Sequence, residues 1–227
     1  MRRCGSWASF AVLCLLLAAC SSQPPTPDWR MNAHGAVERA VAAHLSGDTR
    51  VADLEFARAR AEVARTGRVD LLARAELLRC AAQLASLVDE PCAGFEPLRA
   101  DAPPAEQAYA DFLRGTIDDA RVPLLPPQQR AIAASSATLA SDLAALQTMS
   151  DPLSRLVAAA VSLRSGRANA ALLQVAADTA SDQGWRRPLL AWLGVQQQVA
   201  LKAGDAALAE RLGRRRQLVL DGPSTPP

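Results

Sequence analysis

Apolar residues recur at helical spacing along most of the chain, and no stretch alternates apolar with polar residues for long enough to form a convincing strand. The apolar residues are mainly Ala and Leu, which favour helices, whereas aromatic residues make up only 4% of the sequence. The pattern predicts an all-α protein, and 227 residues suffice for one domain or two small ones with a real core. Helices are expected at roughly 32–45, 49–65, 69–86, 105–113, 128–148, 152–165, 168–181, 187–202 and 205–219.

Two of these helices carry specific packing predictions. The second has two apolar stripes, so it is expected to pack between neighbours. The stripes are Leu54, Ala57, Ala61 and Ala64 on one side, and Phe56, Ala59 and Val63 on the other. The third helix is apolar almost all round and is expected to form the core of the first half of the chain.

The first twenty residues have the layout of an export signal. Arg2 and Arg3 precede an apolar run over 8–17 that is too short to span a bilayer, and small residues follow it. The segment Leu17-Ala18-Ala19-Cys20 resembles the lipobox of bacterial lipoproteins. That resemblance implies that residues 1–19 are removed and that Cys20 is acylated, which anchors the protein to the lipid bilayer. The alternative is an ordinary secretory signal in which Cys20 is incidental.

The residues after Cys20 also indicate a location. Ser22, rather than an Asp, resembles the corresponding residue of lipoproteins that are sorted to the outer membrane. The resemblance therefore implies a lipid-anchored protein of the bacterial cell envelope, on the outer membrane and facing the periplasm.

Proline-rich segments divide the mature chain. Residues 20–28 are expected to form a lipidated tether, because Ser-Ser-Gln-Pro-Pro-Thr-Pro offers no apolar side chain to bury. An N-terminal helical half is expected over 29–121, a proline-rich connection over 122–127 and a C-terminal helical half over 128–219. Residues 220–227 are expected to form a flexible tail.

Cysteine use is consistent with an oxidising compartment. Cys4 and Cys14 leave with the signal and Cys20 is the expected lipid site, so the mature body keeps only Cys80 and Cys92. These two are predicted to form one disulfide, and two separately buried thiols are the alternative.

The charge balance excludes one class of partner. Two of the 25 basic residues leave with the signal, so 23 basic residues remain against 23 acidic ones. A nucleic-acid partner would require a basic excess, so none is expected.

Three glycine turns resemble one another. Ser46-Gly47-Asp48, Ser165-Gly166-Arg167 and Ala203-Gly204-Asp205 each have an Ala five residues after the Gly. This spacing resembles the tetratricopeptide repeat, in which a turn joins antiparallel helices and small residues let them approach. The resemblance implies antiparallel helical hairpins in a tetratricopeptide-like solenoid, and a non-repetitive helical bundle is the alternative.

Motifs of catalysis and cofactor binding are missing from the sequence. It has no Gly-rich phosphate loop, HExxH, CxxC or GxSxG, and its two histidines, His34 and His44, lie on different faces of one expected helix. Acid pairs such as Glu55 with Glu62 are expected on solvated helix faces. We therefore expect no enzyme activity, no cofactor and no metal.

Tryptophan and arginine residues form the candidate partner surface. The candidates are Trp29, Trp185, Trp192, Arg214, Arg215 and Arg216. The tryptophans could line a groove that receives a partner segment, or they could fill the core. The arginines could contact acidic headgroups or a partner, or they could stabilise the C-terminal dipole of the last helix.

These observations predict a scaffold or adaptor for a secretion, pilus, barrel-assembly or cell-wall machine, with unknown envelope proteins as partners. The alternatives are a cell-wall or glycan-acting enzyme whose acids the fold brings together, and a periplasmic module that binds an apolar ligand. An enzyme predicts a cleft with two facing acids, a scaffold predicts a concave apolar groove without convergent ionisable groups, and a ligand carrier predicts a closed apolar cavity.

Overall fold

The computed structural model describes residues 26–134 and 136–222, and the regular structure within them is entirely helical. The predicted all-α fold is confirmed. The α-helices are α1 (Asp28–Ser46), α2 (Thr49–Ala64), α3 (Val69–Ala85), α4 (Pro104–Arg114), α5 (Pro127–Ala133), α6 (Leu139–Thr148), α7 (Pro152–Arg164), α8 (Ala170–Asp182), α9 (Arg186–Lys202) and α10 (Ala206–Asp221). Two short 3-10 helices, Glu96–Asp101 and Asp119–Leu124, lie on either side of α4. The predicted signal, Cys20 and most of the predicted tether and tail lie outside the described residues.

Most helix boundaries follow the sequence pattern closely, with two exceptions. Helix α1 begins at Asp28, within the predicted tether and four residues before the expected start, and over 128–148 one expected helix is two. Helix α5 ends at Ala133, and α6 begins after Thr138. The Thr138 side chain accepts a hydrogen bond from the backbone N–H of Ser141, and the Ser141 side chain accepts one from the backbone N–H of Thr138. This capping box starts a new helix where the apolar periodicity continues.

The three similar turns are helix caps. Gly47, Gly166 and Gly204 have φ angles of 103°, 71° and 75°, and the N–H of the next residue donates to a carbonyl five residues back. This is the Schellman cap, which favours glycine because a side chain disfavours positive φ. Gly115 and Gly184 end helices in the same way, although they lie outside the repeat spacing. The turns therefore have a local explanation, and the tetratricopeptide-like repeat stays a prediction.

Helix α7 lies at the centre of the described residues. Its side chains from Leu156 to Ser162 are all buried, and the helix contacts α3, α4, α5, α6 and α8. Its middle is Ala158-Ala159-Ala160, whose small side chains let neighbouring helices approach closely. Helix α3, the expected core of the first half, packs directly against α7.

Helix α2 is packed on one side only. Phe56, Ala59 and Val63 are buried, whereas Leu54 is 52% exposed and the alanines that continue its stripe are exposed too. The prediction that both stripes pack between neighbours is wrong, because α2 contacts chiefly α1 and α3 at the edge of the molecule. More than half of a protein's accessible surface is apolar, so an apolar stripe by itself indicates burial only weakly.

Side chains from the C-terminal half join the two halves by binding helix ends. The indole N–H of Trp192 donates to the carbonyl of Ala85, at the end of α3, at 3.0 Å. Arg187 and Arg164 donate to carbonyls in the last turns of α1 and α4, each at 2.7 Å. One hydrophobic core includes residues from Ala73 to Leu212, so the proline-rich connection does not separate two cores.

The predicted disulfide between Cys80 and Cys92 is present, with 5.7 Å between the two Cα atoms. Cys80 lies in α3, and Cys92 lies in the loop before the first 3-10 helix. Both cysteines pack against the core. The bond therefore holds the loop that leads from α3 towards α4.

Candidate functional site: an apolar groove on helix α3

A cavity with a volume of about 550 Å³ is open to solvent on one side of α3. It lies between α3, α4 and the segment that joins the second 3-10 helix to α5. Most of its walls are apolar and consist of Leu77, Leu78, Ala105, Tyr109, Leu124, Leu125 and Pro126.

The proline-rich connection forms one wall of this cavity. Leu125 is 1% exposed and anchors the segment in the core, whereas its neighbour Leu124 is 43% exposed at the cavity. The Arg130 Nε donates to the carbonyl of Leu125 at 2.9 Å, and Pro126 restricts the backbone that follows. The segment expected to be only a connection therefore contributes a fixed apolar surface.

A second cavity of about 220 Å³ lies next to the first one along α3. It shares Arg74 and Leu78 with the larger cavity, and α1, α2 and α3 form its walls. Its apolar lining includes Trp29, Ala33, Val37, Val63, Leu71 and Ala75. We call the two cavities together the α3 groove.

The ionisable groups that line the α3 groove are an ion pair and a phenol at the larger cavity, and Arg30 and His34 at the smaller one. The Nε of Arg74 donates to Oε1 of Glu106 at 2.6 Å, with the arginine side chain 66% exposed and the carboxylate 6% exposed. Burial raises the pKa of Tyr109 above its ordinary value, so the phenol stays protonated at neutral pH. Glu106 is the sole carboxylate among the residues that line the groove. The groove is therefore mostly apolar, but it is not free of ionisable groups as a pure scaffold groove was expected to be.

The acids considered as a pair in the sequence do not form a site. Glu55 was expected on a solvated face, but its side chain is 7% exposed and accepts hydrogen bonds from Arg39 at 2.9 Å and Arg58 at 2.7 Å. Glu62 pairs instead with Arg65 on the surface. The burial of Glu55 arises from the packing of α1 on α2, which no local sequence pattern reports.

The three candidate tryptophans have different roles. Trp29 lines the smaller cavity, as expected of a groove residue. Trp185 is half-buried before the start of α9, packs against the core and does not line the α3 groove. Trp192 has no exposed surface and its N–H is bound inside the protein, so its assignment to a partner surface is wrong and the core alternative is confirmed.

The three candidate arginines do not form one patch. Arg214 is 70% exposed, whereas Nη1 of Arg216 donates to Oε1 of Gln197 on α9 at 2.8 Å. Arg215 is half-buried between them. Helix α10 continues to Asp221, so these residues lie one turn before its last turn, where the helix dipole acts on them only weakly.

Most of the groove residues were missed by sequence reasoning. Arg74, Glu106 and Leu124 come from three separate elements, and helix packing alone brings them together. Two signals were present: Tyr109 is the only tyrosine of the chain, and Leu124-Leu125 is an apolar pair set between prolines.

The described residues hold no group of three or more His, Cys, Asp or Glu placed to bind a metal. His34 lies on the surface beside Glu38, 3.2 Å away, and His44 is buried. Among the helices described, none is both long and apolar enough to cross a bilayer.

Comparison of the chain with protein-family models, with curated proteins and with solved structures gave no match.

Proposed function

We propose that the protein is a lipid-anchored scaffold of the bacterial envelope that binds a segment of a partner protein in the α3 groove. The observation that carries the proposal is the groove itself, an open and mostly apolar surface with cavities of about 550 and 220 Å³ side by side. Such a surface fits an amphipathic helix, which buries one face and leaves the other in water.

The lipobox-like segment supports the anchor, and its position supports the groove as the docking surface. Trp29 lines the smaller cavity and comes directly after the proposed tether, residues 20–28. An extended tether of this length spans about 25 Å. The groove would therefore lie close to the membrane, where segments of other anchored proteins are found.

The geometry favours this function over the two alternatives. A glycan hydrolase needs two facing carboxylates, and Glu106 is the single carboxylate that lines the groove. A cavity between α2 and α3 has two, Asp53 and Glu76, but each is paired with an arginine. A carrier of an apolar ligand needs an enclosed cavity, and both cavities of the groove are open to solvent.

Crosslinking in envelope membranes tests the proposal with variants at exposed positions. Leu124→Asp places a charge in the groove wall, and Leu218→Asp is the matched control on α10, where the native side chain is 74% exposed. For Leu124→Asp, we expect mass spectrometry to detect no crosslinked partner, although the variant stays in the membrane fraction. Leu218→Asp should behave as wild type in both measurements. Cys20→Ala should leave the membrane fraction.

Two results would contradict the proposal. Retention of the same partners by Leu124→Asp would show that the groove is not the docking surface. Membrane fractionation of Cys20→Ala would show that Cys20 is not the anchor.

A further inference from the structure

We infer that the segment bound in the α3 groove carries a carboxylate beside its apolar residues, and that Arg74 binds this carboxylate. The inference rests on the proposed docking function and names the chemistry of its partner. It follows from the position of Arg74, from its unused donors and from the way Glu106 is buried.

Arg74 lies at the middle of the groove. It lines both cavities, as Leu78 does one turn further along α3. Its side chain is 66% exposed, so its charge faces any segment that lies across the two cavities. Leu71 and Leu77 provide apolar surface on either side.

The guanidinium of Arg74 keeps donors for a ligand. Its Nε is bound to Glu106 at 2.6 Å, and neither Nη atom has a hydrogen-bond partner among the described residues. An arginine has five N–H donors in a planar fork, which matches the two oxygens of a carboxylate. A carboxylate on the partner can therefore bind Arg74 without displacing Glu106.

Glu106 does not offer an equivalent site to a cation. Its Oε1 accepts from Arg74, and its Oε2 is out of contact with solvent and has no hydrogen-bond partner. A lysine or arginine on the partner would thus meet the exposed charge of Arg74 before it could reach the buried carboxylate. Like charges in close contact repel, so a basic segment is disfavoured.

The smaller cavity also carries a positive charge. Arg30 also lines the smaller cavity, where its guanidinium lies 5.4 Å from the centre of the Trp29 ring. Against these two cations the groove lining has the single carboxylate of Glu106. The lining therefore has an excess of positive charge, which an acidic segment would balance.

The open side of the groove favours a protein segment over a free fatty acid. Both ligands could offer a carboxylate and an apolar body. A fatty acid would leave one side of its chain in water in an open groove, whereas an amphipathic helix presents a polar face there.

Three synthetic amphipathic helical peptides test the inference. They share one apolar face and carry Glu, Gln or Lys at its edge, and binding to the purified chain is measured by fluorescence anisotropy at low salt. We expect the Glu peptide to bind about three- to fivefold more tightly than the Gln peptide, and the Lys peptide to bind most weakly. The difference should shrink as salt is added, because exposed charges are screened.

A pair of double variants assigns the preference to Arg74. Replacing Arg74 alone would leave Glu106 buried without a partner, so the test variant is Arg74→Gln with Glu106→Gln. The control is Arg79→Gln with Asp53→Asn, an ion pair between α2 and α3 that does not line the groove. We expect the test variant to lose the preference for Glu and the control to keep it.

The possible failures are distinct from those of the proposed function. Equal binding of the three peptides, tighter binding of the Lys peptide, or a preference for Glu that persists in the test variant would overturn the inference and leave docking intact. If palmitate binds in the groove and no peptide does, the inference is wrong and the proposed scaffold function is contradicted with it.

Discussion

His44 is a buried base near the end of α1. Its ring hydrogen-bonds to the backbone of Ala82 on α3, and its Nε2 has no hydrogen-bond partner. Burial lowers its pKa from 6.5 to about 4, with smaller contributions from the charges of Arg187 and Arg79, while Asp53 and the bond to Ala82 act in the opposite direction. His44 is therefore neutral in the folded protein at neutral pH.

This pKa predicts a loss of stability in acid. The unfolded chain takes up a proton at His44 as the pH falls through 6.5, whereas the folded chain does so only near pH 4. The contribution of neutral His44 to the free energy of unfolding is therefore complete above pH 6.5. It declines by on the order of 3 kcal/mol as the pH falls to 4.

Urea unfolding at pH 7 and pH 4.5 measures this effect. Between pH 7 and pH 4.5, we expect the free energy of unfolding of His44→Gln to fall by about 2 kcal/mol less than that of the wild type. His34→Gln is the control, because His34 is exposed. An equal pH dependence in wild type and His44→Gln would contradict the prediction.

For single residues, the sequence predicts which side chains share a helix face but not what that face contacts. The seven-residue spacing of Trp185 and Trp192 predicts a shared helix face but does not say whether that face meets the core or a partner. Trp192 is buried because α9 packs beside the end of α3, where Ala85 accepts its N–H. Trp29 differs because α1 leaves it at the edge of a cavity. Both outcomes depend on contacts between distant elements.

At the level of elements, buried glutamates join consecutive helices. Each of α2, α3 and α4 has one glutamate that is nearly buried and pairs with an arginine of the helix before it. The pairs are Arg39 with Glu55, Arg60 with Glu76 and Arg74 with Glu106. Buried carboxylates require such partners, so these acids are explained by helix packing.

Arginines outside a given helix bind the carbonyls at the ends of several helices. The pairs are Arg187 with α1, Arg164 with α4, Arg167 with α5, Arg155 with the cap of α6, and Arg186 with α10. A helix C-terminus has unpaired carbonyls and a partial negative charge, and a guanidinium satisfies both. All basic residues but Lys202 are arginine, and these contacts give many of them a structural role.

Replacing one of these arginines should destabilise the fold. Arg164 donates to the carbonyl of Leu113 at 2.7 Å and to Asp89 at 2.6 Å. Arg164→Met should lower the free energy of unfolding in urea by about 1 to 2 kcal/mol, since a buried carbonyl loses its charged donor. Arg214→Met, at a position 70% exposed, should change it by less than about 0.5 kcal/mol. Equal effects would mean that the contact at the end of α4 contributes no stability.

The elements themselves were largely predictable, because helix starts and stops are local. Periodicity, prolines and glycine caps located most boundaries to within a few residues. The break between α5 and α6 was missed because Thr138 and Ser141 act through side-chain hydrogen bonds while the apolar pattern continues. The arginine contacts were not predictable, since Arg187 and His44 are 143 residues apart.

At the level of the whole molecule, the shared core predicts a single cooperative unfolding transition. Tryptophan fluorescence reports on both halves, through Trp29 in the N-terminal half, Trp185 in the C-terminal half and Trp192 at the joint between them. Far-ultraviolet circular dichroism reports on all the helices. Tryptophan fluorescence and circular dichroism should give coincident curves in urea. Two separated transitions would mean that the halves on either side of residues 122–127 unfold independently.

The groove is a property of the whole molecule, which is why its place could not be predicted from the sequence. Trp29 was one of the candidates for a partner surface, and it lies at the edge of the smaller cavity. The larger cavity requires α3, α4 and the segment before α5 to meet, and these elements are joined by irregular loops that carry no periodicity.

The disulfide relates the formation of the groove to the export of the chain. Cys80 and Cys92 hold the loop between α3 and α4, the two helices that form facing walls of the larger cavity. Thiols stay reduced in the bacterial cytoplasm and oxidise in the envelope. On the proposed export route, we expect the loop that leads from α3 to α4 to be held against α3 only after translocation. Completion of the docking surface would then depend on one covalent bond that forms in the envelope.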